Sequence, residues 1–141
     1  MIMKYLFEYI FVYGFGAIGY SLIELLFRGY THWTMTLTGG VVFLTLYILN
    51  TQFLTCSLIK RCIIGSFVIT GIEFVVGYIV NIIFKMNVWD YSERLFNVMG
   101  QICPLFLLLW FLLCFPVVHF CLYLKRTYFN NDIDKKHLKL K

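Results

Sequence analysis

Four stretches of roughly 20 mostly apolar residues dominate this sequence, at 5–27, 35–54, 62–84 and 101–124. A run of that length is what an α-helix needs to cross the ~30 Å hydrocarbon core of a bilayer. The expected fold is therefore an all-α membrane protein. A bundle of four transmembrane helices fills residues 1–127, and a basic cytoplasmic tail follows at 128–141. The first run is too long for a signal-peptide core of roughly 7–15 residues, so it reads as a retained helix.

Composition agrees. Hydrophobic residues make up 61% of the chain and charged ones only 13%, against about 25% charged in soluble domains. Such a chain cannot present a wetted surface, so membrane lipid is its first expected partner. The net charge of +5 does not point to nucleic acid. The basic residues flank the apolar runs or gather near the C-terminus, where anionic headgroups attract them.

Orientation follows from the excess of Lys and Arg on cytoplasmic loops. With the N-terminus inside, Lys4, Lys60, Arg61, Lys125, Arg126, Lys135, Lys136, Lys139 and Lys141 share one side. Only Arg28, Lys85 and Arg94 fall on the other. Both termini are thus expected in the cytoplasm. The two outward loops, 28–33 and 85–100, are rich in Trp and Tyr, which favour the headgroup zone. The longer one reads as an interfacial or re-entrant segment between helices three and four. Pro104 suits the first turn of the last helix, whereas Pro116 should kink it unless neighbours satisfy the freed carbonyl.

Five cysteines, odd in number and without CxxC spacing, read as buried thiols rather than a disulfide or zinc framework. The three histidines lack ligand spacing. No cofactor or metal is expected. There is no G-x-x-x-x-G-K-[ST], H-E-x-x-H or G-x-S-x-G motif, so the chain does not read as an enzyme. If it works with ATP, a separate ATPase subunit must hydrolyse it.

The most informative polar residue is Glu73, near the middle of the third span. A carboxylate there costs roughly 2.5–3.5 kcal/mol on insertion scales, so it should face the bundle interior. Glu73, Gly77 and Asn81 are spaced by four and share a helix face. Gly16, Tyr20, Glu24 and Arg28 form a similar stripe on the first helix. Two such stripes suggest that helices one and three pack around a polar seam. Glu24 and Arg28 would pair at its outer rim, and Glu8 would pair locally with Lys4 at the inner end. Trp89, Asp90, Tyr91, Asn97 and Gln101 add hydrogen-bonding groups at the mouth. Asp90 would cap a short helix, and Asn97 and Gln101 would satisfy loop backbone. The candidate ligand or proton site is therefore Glu73, Asn81, Asp90, Asn97, Gln101, Glu24, Arg28, Trp89 and Tyr91. The alternative is interhelical hydrogen bonding that only fixes the packing.

The run Gly71-Ile72-Glu73-Phe74, then Asn81, Val88-Trp89-Asp90-Tyr91-Ser92, Phe96-Asn97, Gly100-Gln101-Ile102-Cys103 and Trp110 resembles the bacterial ABC-transporter permease family of the CmpB-like type. The upstream run from Arg28 to Met35, with Gly39-Gly40, is similar to its short members. The resemblance covers residues 14–115 and implies transport in a bacterial inner membrane. The chain lacks the proline-rich first loop of the longer members. Four short helices enclose little volume, so a homo-oligomer or a partner subunit is expected. The function expected is a transport component, either a permease subunit or a small homo-oligomeric transporter. The alternative is a non-transporting assembly protein whose polar seam is structural.

Overall fold

The computed structural model describes residues 2–129, and the expected tail falls almost wholly outside them. Four helices of span length are present: α1 (Ile2–Arg28), α2 (Trp33–Phe53), α3 (Leu58–Ile83) and α4 (Pro104–Tyr128). The all-α, four-span expectation is met.

Local chemistry sets the ends. Gly29 closes α1 in the left-handed conformation, at φ 75°, which glycine adopts without a Cβ penalty. His32 caps α2, its Nδ1 accepting from the Thr34 amide at 3.4 Å. Pro104 opens α4, where its missing N–H costs nothing. The helix continues unbroken through Pro116.

Both α2 and α3 finish in a widened π-helical turn, over Leu49–Phe53 and Tyr78–Ile83. A π turn disturbs the i→i−4 ladder and frees carbonyls. At the end of α2, side chains take up that slack: Asn50 Nδ2 donates to Leu46 O at 2.8 Å and Thr51 Oγ1 to Tyr47 O at 2.7 Å. Arg61 Nη1 then donates to Asn50 O at 2.8 Å, and its Nε to Cys56 O at 3.0 Å. Arg61 is thus fully buried instead of lying among headgroups. The unfinished backbone of the α2–α3 turn needs a donor that can serve two carbonyls.

The helices pack as two consecutive hairpins, α1 on α2 and α3 on α4. The seam expected between α1 and α3 is not formed. Gly16 instead faces α2, where a Cβ would collide with Phe43 and Gly39 O. Small residues let helix backbones approach closely in lipid, and here they join neighbours in sequence. Cys62 and Cys114 are buried in one core cluster with Leu46, Val118 and Leu122, and Cys121 in another with Val12, Tyr47 and Leu124, all serving as small apolar groups.

The loop joining α3 to α4 closes over the space between the hairpins, where Tyr20 of α1 packs on the cluster of Met35, Val80, Val88 and Trp89. The expected helix capped by Asp90 does not form there. Residues 84–103 hold only turns and an isolated bridge between Val98 and Ile102. Lys85, Asn87, Phe96 and Met99 all have φ near +50°. A left-handed non-glycine residue costs about 1–2 kcal/mol, so the surroundings must hold the loop in place. Buried amide side chains do so.

Candidate functional site

The loop is pinned by three of the site residues. Asn81, in the π turn of α3, accepts from the Val88 amide at 2.7 Å and donates to Gln101 Oε1 at 2.8 Å. Gln101 Nε2 donates to Met99 O at 3.0 Å, while its own carbonyl accepts from Trp89 Nε1 at 3.0 Å. Asn97 donates to Ser92 O and Arg94 O, and accepts from the Gly100 amide at 2.9 Å. Gly77 leaves room for this arrangement, since a Cβ there would sit 2.8 Å from Trp89 Cζ2. A loop without a strand ladder must pair its backbone with side chains, and these amides are spent on that task.

Under the loop, Glu73 is buried. Its Oε1 accepts from Tyr91 Oη at 3.1 Å and its Oε2 from Trp110 Nε1 at 3.0 Å. Tyr91 also stacks on Phe106, with ring centroids 4.5 Å apart. Burial, and then the Glu73 charge, push the Tyr91 phenol well above its usual range, so it stays a donor. One carboxylate thereby fixes two aromatic rings from different elements.

Those rings form part of a cavity of about 740 Å³ between the two hairpins. Tyr20, Glu24 and Arg28 of α1 line one side, Trp89 to Tyr91 and Arg94 the roof, and Phe106, Trp110 and Leu113 of α4 the other side. Tyr20 is close enough to interact with the charges of both Glu24 and Glu73. At the rim, Glu24 accepts from Arg28 Nη1 at 3.0 Å and from Thr31 Oγ1 at 2.9 Å. Arg28 Nη2 reaches across to Val88 O at 2.7 Å, and the guanidinium lies over the Tyr30 ring. Asp90 is exposed, and the hydroxyl and amide of Ser92 hold its carboxyl below the usual carboxylate range.

Of the nine residues singled out in the sequence, Glu24, Arg28, Trp89, Asp90 and Tyr91 line this cavity. Glu73 stands behind the wall they share with Trp110. Asn81, Asn97 and Gln101 support the loop instead.

Residues 4–139 match the family described as "Putative ABC-transporter type IV". The chain belongs to this ABC-transporter family. Among curated proteins and solved structures, none matches it. The match extends beyond residues 14–115, which carry the resemblance seen in the sequence. Membership and four span-length helices support a multi-pass membrane protein that is a component of a transport system.

A second polar cluster of this family member lies at the other end of the bundle. Glu8 is fully buried, and its Oε1 accepts from Tyr47 Oη at 2.6 Å and from Lys125 Nζ at 2.9 Å. The expected local pair with Lys4 is replaced by an ion pair between α1 and α4. Burial explains the change, since a carboxylate enclosed in apolar surroundings needs a partner enclosed with it. One signal was present in the sequence: Glu8, Val12, Gly16 and Glu24 lie along one i, i+4 row that winds around α1, and all are buried.

Proposed function

We propose that this chain is the membrane-embedded subunit of a bacterial inner-membrane transport system, with both termini cytoplasmic and a separate ATPase as partner. The cavity between the hairpins is its ligand site. The observation that carries this reading is the cavity itself. It is of a size suited to small molecules and walled by aromatic rings with a few polar groups at its rim. Glu73 acts here as the residue that positions Tyr91 and Trp110, and the Glu24–Arg28 pair guards the mouth. The missing phosphate-binding loop fits a chain that leaves nucleotide hydrolysis to another subunit.

Native mass spectrometry of the gently solubilised protein, expressed in its own cell type, tests the assembly. A co-purifying ATPase supports the permease subunit. A homo-oligomer without one favours a small self-contained transporter. The ligand site is tested by filling it. Leu113→Trp should preserve assembly yet fail to restore the small-molecule profile of cells lacking the chain. Full restoration would remove the cavity from the mechanism.

A second reading has one observation in its favour. Asn81, Asn97 and Gln101 are consumed by loop backbone and by each other, as in a protein whose polar groups are structural glue. Under that reading Leu113→Trp would change stability or oligomeric state alone.

A further inference from the structure

We propose that the cavity between the hairpins takes an organic cation, whose positive group sits against the aromatic wall in front of Glu73. This rests on the reading of that cavity as the ligand site.

The first argument is charge. Glu73 is buried, and both hydrogen bonds it accepts come from the neutral donors Tyr91 and Trp110. The two ion pairs found among the described residues are Arg28–Glu24 and Lys125–Glu8, and neither reaches Glu73. At the rim, Arg28 is already matched by Glu24. Arg94 and Asp90, both exposed, carry opposite charges. The lining is therefore balanced, and Glu73 behind it is a buried carboxyl with no cation paired to it among the described residues, whose ionised form a cation in the cavity would favour. A buried carboxylate without a cation is costly, and the same fold supplies one at Glu8, where Lys125 closes the pair.

The second argument is the wall. Tyr20, Trp89, Tyr91, Phe106 and Trp110 bring five aromatic rings to one space. Ring faces attract cations, and more strongly where water is excluded. Aromatic walls do not suit a bare metal ion, which needs a shell of oxygen or nitrogen ligands. No group of three His, Cys, Asp or Glu side chains comes together among the described residues. The volume of about 740 Å³ accommodates an ammonium group with substantial organic substituents. A free solute and a lipid headgroup share this chemistry.

The test uses two ions of matched size and opposite charge, tetraphenylphosphonium and tetraphenylborate. Each is titrated into the full chain in non-ionic detergent. Trp33→Phe removes the exposed indole away from the cavity, so the remaining fluorescence comes from Trp89 and Trp110. The phosphonium should quench saturably, and the borate should not. Glu73→Gln should weaken phosphonium binding by about tenfold or more and erase the preference for positive charge. A merely structural Glu73 would weaken both ions alike. Trp110→Phe, which keeps a ring and the Glu73 charge, should retain that preference and serves as a second variant if Glu73→Gln fails to fold.

Borate binding as tight as phosphonium binding, or unchanged phosphonium affinity in Glu73→Gln, would overturn the cation assignment and leave the cavity as a ligand site. If neither ion binds, the cation assignment falls. If Leu113→Trp is silent as well, the ligand site falls with it. Native mass spectrometry separates the sources. A retained aminophospholipid that is lost in Glu73→Gln supports the class through a lipid headgroup; binding of the phosphonium by lipid-free protein supports it through a free solute.

Discussion

Two buried glutamates in this bundle are built alike and finished differently. At the terminal end, Glu8 accepts from the Tyr47 hydroxyl and from Lys125 Nζ. At the loop end, Glu73 accepts from the Tyr91 hydroxyl and from the Trp110 indole. Each carboxylate thus ties a phenol from one element to a donor from α4. The second partner sets them apart. Lys125 brings a charge and leaves that end sealed, whereas Trp110 brings a neutral N–H and presents its ring to a cavity. The same unit is closed by an ion pair at one end and by neutral donors at the other, where the proposed function makes it part of a ligand site.

The largest effect expected is at the ion pair. Lys125→Met removes one member of a buried pair and leaves Glu8 enclosed without its cation. That should destabilise the fold by about 3–5 kcal/mol, read as a fall in thermal or denaturant midpoint in detergent. The double variant Glu8→Gln with Lys125→Met should recover much of the loss, because replacing both members of a buried pair is often near neutral. If the single variant is silent, the pair is not the lock that its burial implies.

Next comes a packing change at the loop end. Gly77→Ala places a methyl against Trp89 Cζ2 and the Gln101 carboxamide. Overpacking of this kind costs about 1–3 kcal/mol, and Trp89 or the Gln101 side chain must give way. The emission of Trp89 should change and ligand binding should weaken. Asn97→Ala should follow, with a loss of about 1 kcal/mol. Its effect should be confined to faster hydrogen exchange in the loop.

How much of this was legible follows from what a sequence can carry. The spans were readable because length and apolarity alone define a bilayer crossing. Glu24 and Glu73 stood out because a charge inside an apolar run must have a reason. Helix pairing was not readable. An i, i+4 stripe tells which face is polar or small, but Gly16 gives no sign that its partner is Phe43 of α2 and not α3. The Glu8–Lys125 pair joins residues 117 positions apart. Lys125 stands beside Arg126 at the end of a span, where basic residues ordinarily meet headgroups. The π turns leave no pattern, so the burial of Arg61 against Asn50 could not be foreseen. Asn97 and Gln101, spaced by four, were readable as amides that satisfy loop backbone, and they do so; that Asn81 joins them by bonding the Val88 amide and Gln101 was not, because it depends on how the loop folds back over α3.

The smallest expected effect is the sharpest test of the comparison. Arg28 is partly exposed, at 31% of its side chain, and an ion pair of that kind contributes about 0–1 kcal/mol. Arg28→Gln should therefore leave the unfolding midpoint almost unchanged. Yet Arg28 also donates to Val88 O and covers Tyr30, so it links the end of α1 to the loop across the mouth of the cavity. Its removal should speed hydrogen exchange of loop amides and the exchange of any bound ligand, without lowering global stability. The outcome that would collapse the distinction is a midpoint shift as large as that of Lys125→Met. The loop end would then be as rigidly locked as the terminal end, and the cavity would be a gap in the packing with no mouth to open.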